Sequence, residues 1–118
     1  MYQGTEGWHV DGNTVEVPHT FTIIHCISAN KNGPTLLVPL REITQLFTED
    51  ERSFLESITF VSAANSSIQH PLFYKHPVRF DDTIMLALGS LSGKYLKTLK
   101  DGNKIELSKD ETQFVQGM

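Results

Sequence analysis

Two residues in this sequence have the types and the spacing that could hold a metal ion: His9 and Asp11, in the run Trp8-His9-Val10-Asp11-Gly12. On an extended backbone, residues two apart point to the same side, so the imidazole and the carboxylate can converge on one ion. This donor pair suits a divalent first-row metal, and a second, distant histidine would complete the facial triad of non-haem iron. Because His-x-Asp also arises by chance, a surface loop with a satisfied histidine is the alternative.

A longer pattern surrounds this pair. It comprises, in order, Pro18, the run Thr22-Ile23-Ile24-His25-Cys26, the turn Gly33-Pro34-Thr35-Leu36, and the doubled dipeptides His70-Pro71 and His76-Pro77. In order and spacing it resembles the taurine dioxygenase and clavaminate synthase-like family of iron(II)/2-oxoglutarate-dependent dioxygenases. The resemblance covers nearly the whole chain, and the joint pattern is more specific than any of its parts.

The resemblance implies roles for particular residues. His9 and Asp11 match the first two ligands of iron(II), and Thr35 matches a threonine that helps to hold the distal carboxylate of 2-oxoglutarate. Asn13 and His70 would border the substrate pocket. The implied reaction is the hydroxylation of a small organic substrate, with 2-oxoglutarate as cosubstrate and succinate and CO2 as products.

The implied metal site lacks its third ligand. In the family that this sequence resembles, a further histidine completes the iron site and an arginine binds the 2-oxoglutarate carboxylate, and neither has an obvious counterpart here. His25 lies on an apolar strand face, which is more typical of a hydrogen-bonded core histidine. Iron binding should be weak, because even changes around the ligands cost about 10-fold to 100-fold. We therefore expect the N-terminal half of an oxygenase core, as a fragment or truncated form that is not a competent enzyme by itself.

Two other interpretations stay open. The first is a non-catalytic binding or self-associating module derived from the same fold, because exposed strand edges would allow a homo-oligomer. The second is a small cupin-like metalloprotein that uses His9, Asp11 and either His25 or His70. The oligomeric state would test the first interpretation, and stoichiometric iron uptake would test the second.

The elements that must position these residues are mainly strands. Hydrophobic alternation and turn signals predict strands at 20–27, 35–38, 58–61 and 83–88, with an extended stretch at 70–77. Capping boxes predict helices after Thr48 and after Ser108, and a shorter helix is predicted at 41–47. Together they predict a mainly β fold with a helical insertion, of the barrel or jelly-roll type. The resemblance implies its specific form, a partial double-stranded β-helix like that of clavaminate synthase.

Length, composition and charge limit the number of domains and the classes of partner that we expect. The 118 residues predict a single domain, 1–118. A formal net charge of -4 argues against a nucleic-acid partner. No apolar run reaches the roughly 20 residues that cross a bilayer and no signal-peptide pattern is present, so we expect a cytoplasmic protein without a membrane partner. The single cysteine, Cys26, excludes an internal disulfide and is expected in the core.

Overall fold

Short antiparallel strands dominate the structure, a computed structural model that describes residues 6–89 and 93–117. The strands are β1 (Glu6–His9), β2 (Ile58–Val61), β3 (Gln69–Pro71), β4 (Phe73–Lys75), β5 (Asp82–Ile84), β6 (Ala87–Gly89), β7 (Lys94–Thr98) and β8 (Lys104–Glu106). The helices are α1 (Leu40–Thr44), α2 (Glu49–Glu56) and α3 (Lys109–Gln116). Every strand pair is antiparallel, so the predicted β-rich class with a few helices is confirmed.

The largest sheet has four strands in the order β3-β2-β7-β8, and two further pairs, β1-β6 and β4-β5, lie beside it. Phe60 at the centre of β2 stands opposite His70 on one side and Tyr95 on the other. The rings of Phe60 and Tyr95 lie 5.5 Å apart, within the range of favourable aromatic pairs. Leu55 from α2 and Val115 from α3 are fully buried in the same core.

Both predicted capping boxes are present, and each starts a helix. The Thr48 hydroxyl accepts from the Glu51 N–H at 3.2 Å, and the Glu51 carboxylate accepts from the Thr48 N–H at 2.9 Å. Ser108 and Glu111 repeat the same exchange at the start of α3. Because the free N–H groups of a first turn need acceptors, this local chemistry sets the start of each helix. Of the helices in the described residues, none combines the length and the hydropathy that crossing a bilayer requires.

The predicted strands at 20–27 and 35–38 are wrong, because both stretches are irregular and exposed. Ile23 and Ile27 are 92% and 93% exposed, and the thiol of Cys26 is exposed rather than in the core. His25 is likewise exposed and is not a core histidine. The β-branched composition that suggested strands stabilises a strand only when a neighbouring strand and a packed face are present.

The predicted strand at 83–88 is divided into β5 and β6 by a change of partner. Met85 donates its N–H to the Leu72 carbonyl at 2.7 Å, and the Leu86 carbonyl accepts from the Val10 N–H at 2.7 Å. Residues before the break therefore pair with β4, and residues after it pair with β1. The break affects the position of His9, because β6, which follows the break, pairs with the end of β1.

An ion-pair cluster joins α2 to the β4-β5 pair. Asp82 accepts from Lys75 at 2.5 Å and also from the guanidinium of Arg52, which lies 5.1 Å above the centre of the Phe73 ring. These bonds, that to Lys75 first and that to Arg52 second, hold the pKa of Asp82 below its usual range. Arg52 pairs in addition with Glu56 at 2.8 Å, so one guanidinium connects two elements.

Replacing Asp82 by asparagine should lower the free energy of unfolding on the order of 1 kcal/mol at neutral pH, since the cluster is partly exposed and screened by solvent. A carboxylate whose pKa falls on folding contributes stability above its unfolded pKa of about 3.9, and this contribution disappears as the pH falls through the folded pKa. The difference between Asp82→Asn and wild type in urea unfolding should therefore shrink in acid. Asp50→Asn, which removes an exposed charge from α2, is the control, and a pH-independent difference would contradict the expectation.

Candidate functional site

Strand β1 carries the first predicted ligand at an irregular point of its pairing. The register with β6 shifts between Glu6 and His9, and His9 stands opposite Ala87. A register shift changes which way the following side chains of a strand point, and such irregularities are frequent next to functional sites. Beyond the shift, Val10 is held by its 2.7 Å hydrogen bond to Leu86. The backbone that carries His9 is therefore fixed against β6 on this side.

A tight turn after β1 positions the second predicted ligand, Asp11. Gly12 has a φ of +88°, a conformation that glycine adopts without the cost a side chain would add. A Cβ at this position would also approach the backbone nitrogen of His19 to 3.0 Å. Asn13 is buried and donates its side-chain amide to the Val10 carbonyl at 2.8 Å, which closes the turn. In this structure Asn13 holds the turn that carries Asp11.

The side chains of His9 and Asp11 come together as the sequence spacing predicts. The Nε2 atom of His9 lies 3.3 Å from Oδ1 of Asp11, and the two side chains are 28% and 51% exposed. The other ring nitrogen, Nδ1, lies 3.1 Å from the Gly7 carbonyl oxygen. A carbonyl can only accept, so Nδ1 carries the proton in this bond, and in the neutral ring Nε2 carries the lone pair.

This arrangement around His9 is the one that metal-binding histidines commonly adopt. A ligating imidazole usually donates its second N–H to a carboxylate, a backbone carbonyl or water, which fixes the tautomer and the ring orientation. Here the Gly7 carbonyl takes that place, and Nε2 is the ring atom that approaches the Asp11 carboxylate. One nitrogen and one oxygen donor thus lie 3.3 Å apart on side chains that are partly exposed.

A small cavity of about 100 Å³ lies beside His9. Its walls are mostly apolar and consist of Trp8, His9, Val10, Leu36, Leu37, Val38, Leu40 and Leu86. Pockets for small organic ligands usually measure about 300 to 1,000 Å³, so this cavity is too small for such a substrate. One wall is the irregular stretch 36–38, which means that the volume beside His9 depends on where this stretch lies.

Thr35, the residue matched to 2-oxoglutarate binding, lines a different cavity. That cavity, of about 630 Å³, is formed by residues 24–30 and 33–35 and is open to solvent. Thr35 is not among the residues around the cavity beside His9, although its neighbour Leu36 is. The structure therefore brings His9 and Asp11 together and leaves Thr35 on an adjacent, exposed stretch.

His70, matched to the substrate pocket, lies in the core. It is 4% exposed, stands opposite Phe60 in the four-stranded sheet, and lines neither of the two cavities beside Thr35 and His9. Its Nε2 atom is buried and has no hydrogen-bond partner among the described residues. A buried nitrogen without a hydrogen-bond partner costs free energy.

A third ligand does not accompany His9 and Asp11 in the part of the chain that the structure describes. Across residues 6–89 and 93–117, no cluster of three or more histidine, cysteine, aspartate or glutamate side chains could surround a metal ion. His25 and His70, the alternatives for a cupin-like site, lie respectively on the exposed stretch and in the core. The donor set observed here fits two positions of a metal site.

Tyr95 is a residue of this region that its position in the sequence does not indicate. Its buried hydroxyl donates to the Ala87 carbonyl at 3.0 Å and accepts from the Ala87 N–H at 3.3 Å. Since Ala87 stands opposite His9, the hydroxyl links the four-stranded sheet to the strand pair that carries the metal-binding candidate. The alternation of Lys94-Tyr95-Leu96-Lys97 indicates a strand with Tyr95 facing inward, but it gives no sign of the contact with β6.

Comparisons of the chain with protein-family models, with curated proteins and with solved structures found no match. The arrangement of side chains around His9 is therefore the observation that has to support a function.

Proposed function

We propose that this chain is part of an iron(II)/2-oxoglutarate-dependent dioxygenase, a cytoplasmic enzyme for a small organic substrate, in which His9 and Asp11 supply two of three metal ligands. The observation that carries the proposal is the 3.3 Å approach of His9 Nε2 to Asp11 Oδ1, with His9 Nδ1 engaged by the Gly7 carbonyl. One imidazole and one carboxylate are two thirds of the facial triad that non-haem iron uses. The proposal includes the finer fold, a partial double-stranded β-helix.

The residues of this chain would have two tasks at such a site. His9 and Asp11 would bind the ion, while the Gly7 carbonyl and the turn closed by Asn13 hold the two donors in place. Iron(II) with 2-oxoglutarate and dioxygen would supply the oxidising chemistry, in which one oxygen atom of O2 enters succinate as CO2 is lost and the other enters the hydroxylated substrate. The apolar walls of the cavity beside His9 would exclude water from the reacting side of the ion.

The third metal ligand would come from outside the described residues, and so would the arginine that binds the 2-oxoglutarate carboxylate. Thr35 would contribute its hydroxyl to the distal carboxylate, as the family resemblance implies. This role requires the stretch that carries Thr35 to turn toward His9, where its neighbour Leu36 already lines the cavity. A third ligand and an ordered 20–38 stretch are therefore the two additions that the proposed site needs.

The proposal is tested by anaerobic titration of iron(II) into the wild-type chain and into His9→Gln and Asp11→Asn. Loss of either donor should raise the dissociation constant by about 100-fold, at the upper end of what ligand-supporting residues contribute. His25→Gln is the matched control, because this exposed histidine does not join His9 and Asp11 in a three-residue donor group among the described residues, so its replacement should leave binding unchanged.

Free imidazole provides a second arm of the same experiment. If the chain contributes two ligands and lacks the third, added imidazole should strengthen iron binding by the wild type and not by Asp11→Asn. Addition of 2-oxoglutarate to the resulting complex should produce a visible charge-transfer band. Equal iron binding by all four proteins, with no effect of imidazole, would rule out the metal site.

A second candidate function is a non-catalytic binding or self-associating module. The exposed apolar stretch at 20–38 favours it, because such a surface on a folded chain usually marks an interaction site. The two candidates differ in what His9→Gln should do: the first predicts weaker iron binding, whereas the second predicts association that does not depend on His9.

A further inference from the structure

A cavity of about 390 Å³ lies between the start of α1 and the loop that joins β4 to β5. Pockets for small organic ligands measure about 300 Å³ or more, so this cavity can hold such a ligand, unlike the smaller cavity beside His9. Val38 and Leu40 line both cavities, which therefore share an apolar wall. The polar wall of the larger one consists of Arg41, Glu42, Arg79 and Thr83.

The loop at 76–81 that carries Arg79 is held in one shape by His76. The Nδ1 atom of His76 accepts from the backbone N–H groups of Val78 and Arg79, each at 3.2 Å. The backbone of His76 donates to the Asp81 carbonyl at 2.9 Å and accepts from the Phe80 N–H at 2.8 Å. Phe80 has a φ of +61°, which costs free energy in a residue other than glycine. The second His-Pro dipeptide of the sequence therefore fixes the backbone from which Arg79 extends.

Arg41 and Arg79 meet at a single carboxylate. Oδ2 of Asp81 accepts from Nε of Arg79 at 3.1 Å and lies 3.6 Å from Nε of Arg41. The bond to Arg79, together with the charge of Arg41, holds the pKa of Asp81 below its usual range, so Asp81 is charged at neutral pH. Because Asp81 engages the Nε atoms, the terminal nitrogens of both guanidiniums have no acceptor among the described residues. Two sets of N–H donors are thus held close together and available to a ligand.

The charges and walls of the cavity select the chemistry of its occupant. A guanidinium presents its N–H donors in a fork that matches the two oxygens of a carboxylate, and such charge-assisted bonds are strong. Glu42 and Asp81 together balance the charge of the two arginines, so an occupant with one negative charge fits better than one with two. The apolar residues at 38–40 provide a surface for a hydrocarbon body. A small monocarboxylate with an apolar body matches these features.

We propose that this cavity binds a small organic monocarboxylate, with its carboxylate held between the guanidiniums of Arg41 and Arg79 and its apolar body against residues 38–40. The ligand bridges the start of α1 and the 76–81 loop, so its binding restrains both. The proposal does not rest on the metal site, since neither of the proposed metal ligands lines this cavity.

Sodium butyrate is a suitable probe of this chemistry. The wild-type chain is titrated with butyrate at constant ionic strength and neutral pH, and its backbone amide signals are followed by nuclear magnetic resonance. Saturable shifts should appear at residues 40–42 and 79–83. Butyramide has nearly the same size and shape but no charge, and it should cause no such shifts. Inorganic phosphate should bind more weakly than butyrate, because part of it carries a second negative charge at this pH.

Arg41→Gln and Arg79→Gln should each raise the dissociation constant for butyrate by about 10-fold or more, because each removes charge-assisted hydrogen bonds. Arg79→Lys keeps the positive charge but loses the fork, so it should also bind more weakly, which separates bidentate binding from general attraction. Lys100→Gln is the matched control. It removes one positive charge from the exposed turn between β7 and β8 and should bind butyrate as the wild type does.

Butyrate shifts that do not saturate, or that butyramide reproduces, would overturn the proposal in the wild type alone, whether or not the variants fold. Tighter binding of phosphate than of butyrate would contradict a monocarboxylate as the occupant. Equal butyrate binding by the wild type and a folded Arg79→Gln variant would show that the carboxylate lies elsewhere. The titration contains no metal ion, so its outcome is independent of iron binding at His9.

Discussion

Replacing Gly93 by alanine should lower the free energy of unfolding by about 3 kcal/mol, the upper range of overpacking in a well-packed interior. A Cβ built on Gly93 would lie 2.0 Å from the Val61 carbonyl oxygen and 2.8 Å from the Phe60 ring. The ring could rotate slightly, but the carbonyl belongs to a paired strand and cannot yield without moving β2. The substitution should therefore separate β7 from β2 at the start of their pairing.

Urea unfolding of the variant measures this effect, with Gly33→Ala as the control. Gly33 lies in the exposed turn of the 20–38 stretch, and a Cβ there meets only the Asn30 Cβ at 3.8 Å, an ordinary contact. Its replacement should change stability by less than about 1 kcal/mol. If the two alanine variants were equally stable, the close packing of Gly93 against β2 would be wrong.

Replacing Tyr95 by phenylalanine should cost about 2 kcal/mol, although it removes a single oxygen atom. The hydroxyl is the buried partner of both polar groups of the Ala87 backbone, so its loss leaves a donor and an acceptor unsatisfied together. Because Ala87 stands opposite His9, the variant should also loosen the direction of the His9 ring. Iron binding should therefore weaken in Tyr95→Phe, by less than in His9→Gln.

Thermal or urea unfolding of Tyr95→Phe and of Tyr74→Phe checks this expectation. Tyr74 is half-buried, so loss of its hydroxyl should be less costly. Equal losses in the two variants would remove the special role of the Tyr95 hydroxyl.

The pH dependence of folding stability gives a further test of the environment of Tyr95. Burial raises the pKa of Tyr95, and the hydrogen bond to Ala87 opposes this only in part. The neutral phenol is thus favoured in the fold, so its stabilising effect is complete below the unfolded pKa of about 10 and is lost as the pH rises through the folded pKa. The difference in stability between wild type and Tyr95→Phe should therefore shrink in alkali. A difference that stays constant or grows would contradict the buried environment of this hydroxyl.

Local signals in the sequence predicted the helices and the central strand well. Thr48 and Ser108 start α2 and α3 through hydrogen bonds that span only three residues, so the pattern contains the whole interaction. The strand at 58–61 lies where its β-branched and aromatic composition placed it. In each case the partners are near in sequence or the side chains find a packed face.

The stretch 20–27 shows why composition alone fails for strands. Its residues have the same character as those of β2, yet they are irregular because the described chain offers them no neighbouring strand. The prediction of one strand at 83–88 fails for a related reason. The break between β5 and β6 depends on which partner accepts or donates at Met85 and Leu86. Strand pairing is a property of two segments, and a single pattern describes only one of them.

The candidate site likewise has local features that the sequence predicts and contacts between strands that it does not. The approach of His9 to Asp11 follows from a spacing of two residues, and the turn closed by Asn13 is local as well. The hydrogen bond from the Tyr95 hydroxyl to Ala87 joins strands of two different sheets, and no spacing in the sequence indicates it. Thr35 lies on the irregular stretch, so its distance from His9 depends on what eventually pairs with that stretch.

The most direct test of the proposed metal site is nuclear magnetic resonance of the five histidine rings during addition of substoichiometric manganese(II). A paramagnetic ion bound between His9 and Asp11 should broaden the ring signals of His9 before those of the other four histidines, and the order should be lost in Asp11→Asn. The rings of His25, His70 and His76 serve as internal controls within the same molecule, whereas the His19 ring lies close to Gly12 in the turn that carries Asp11. Selective broadening of His9 is the result that two converging ligands predict, whereas equal broadening of all five rings, or broadening of another histidine first, would contradict a metal site at this pair.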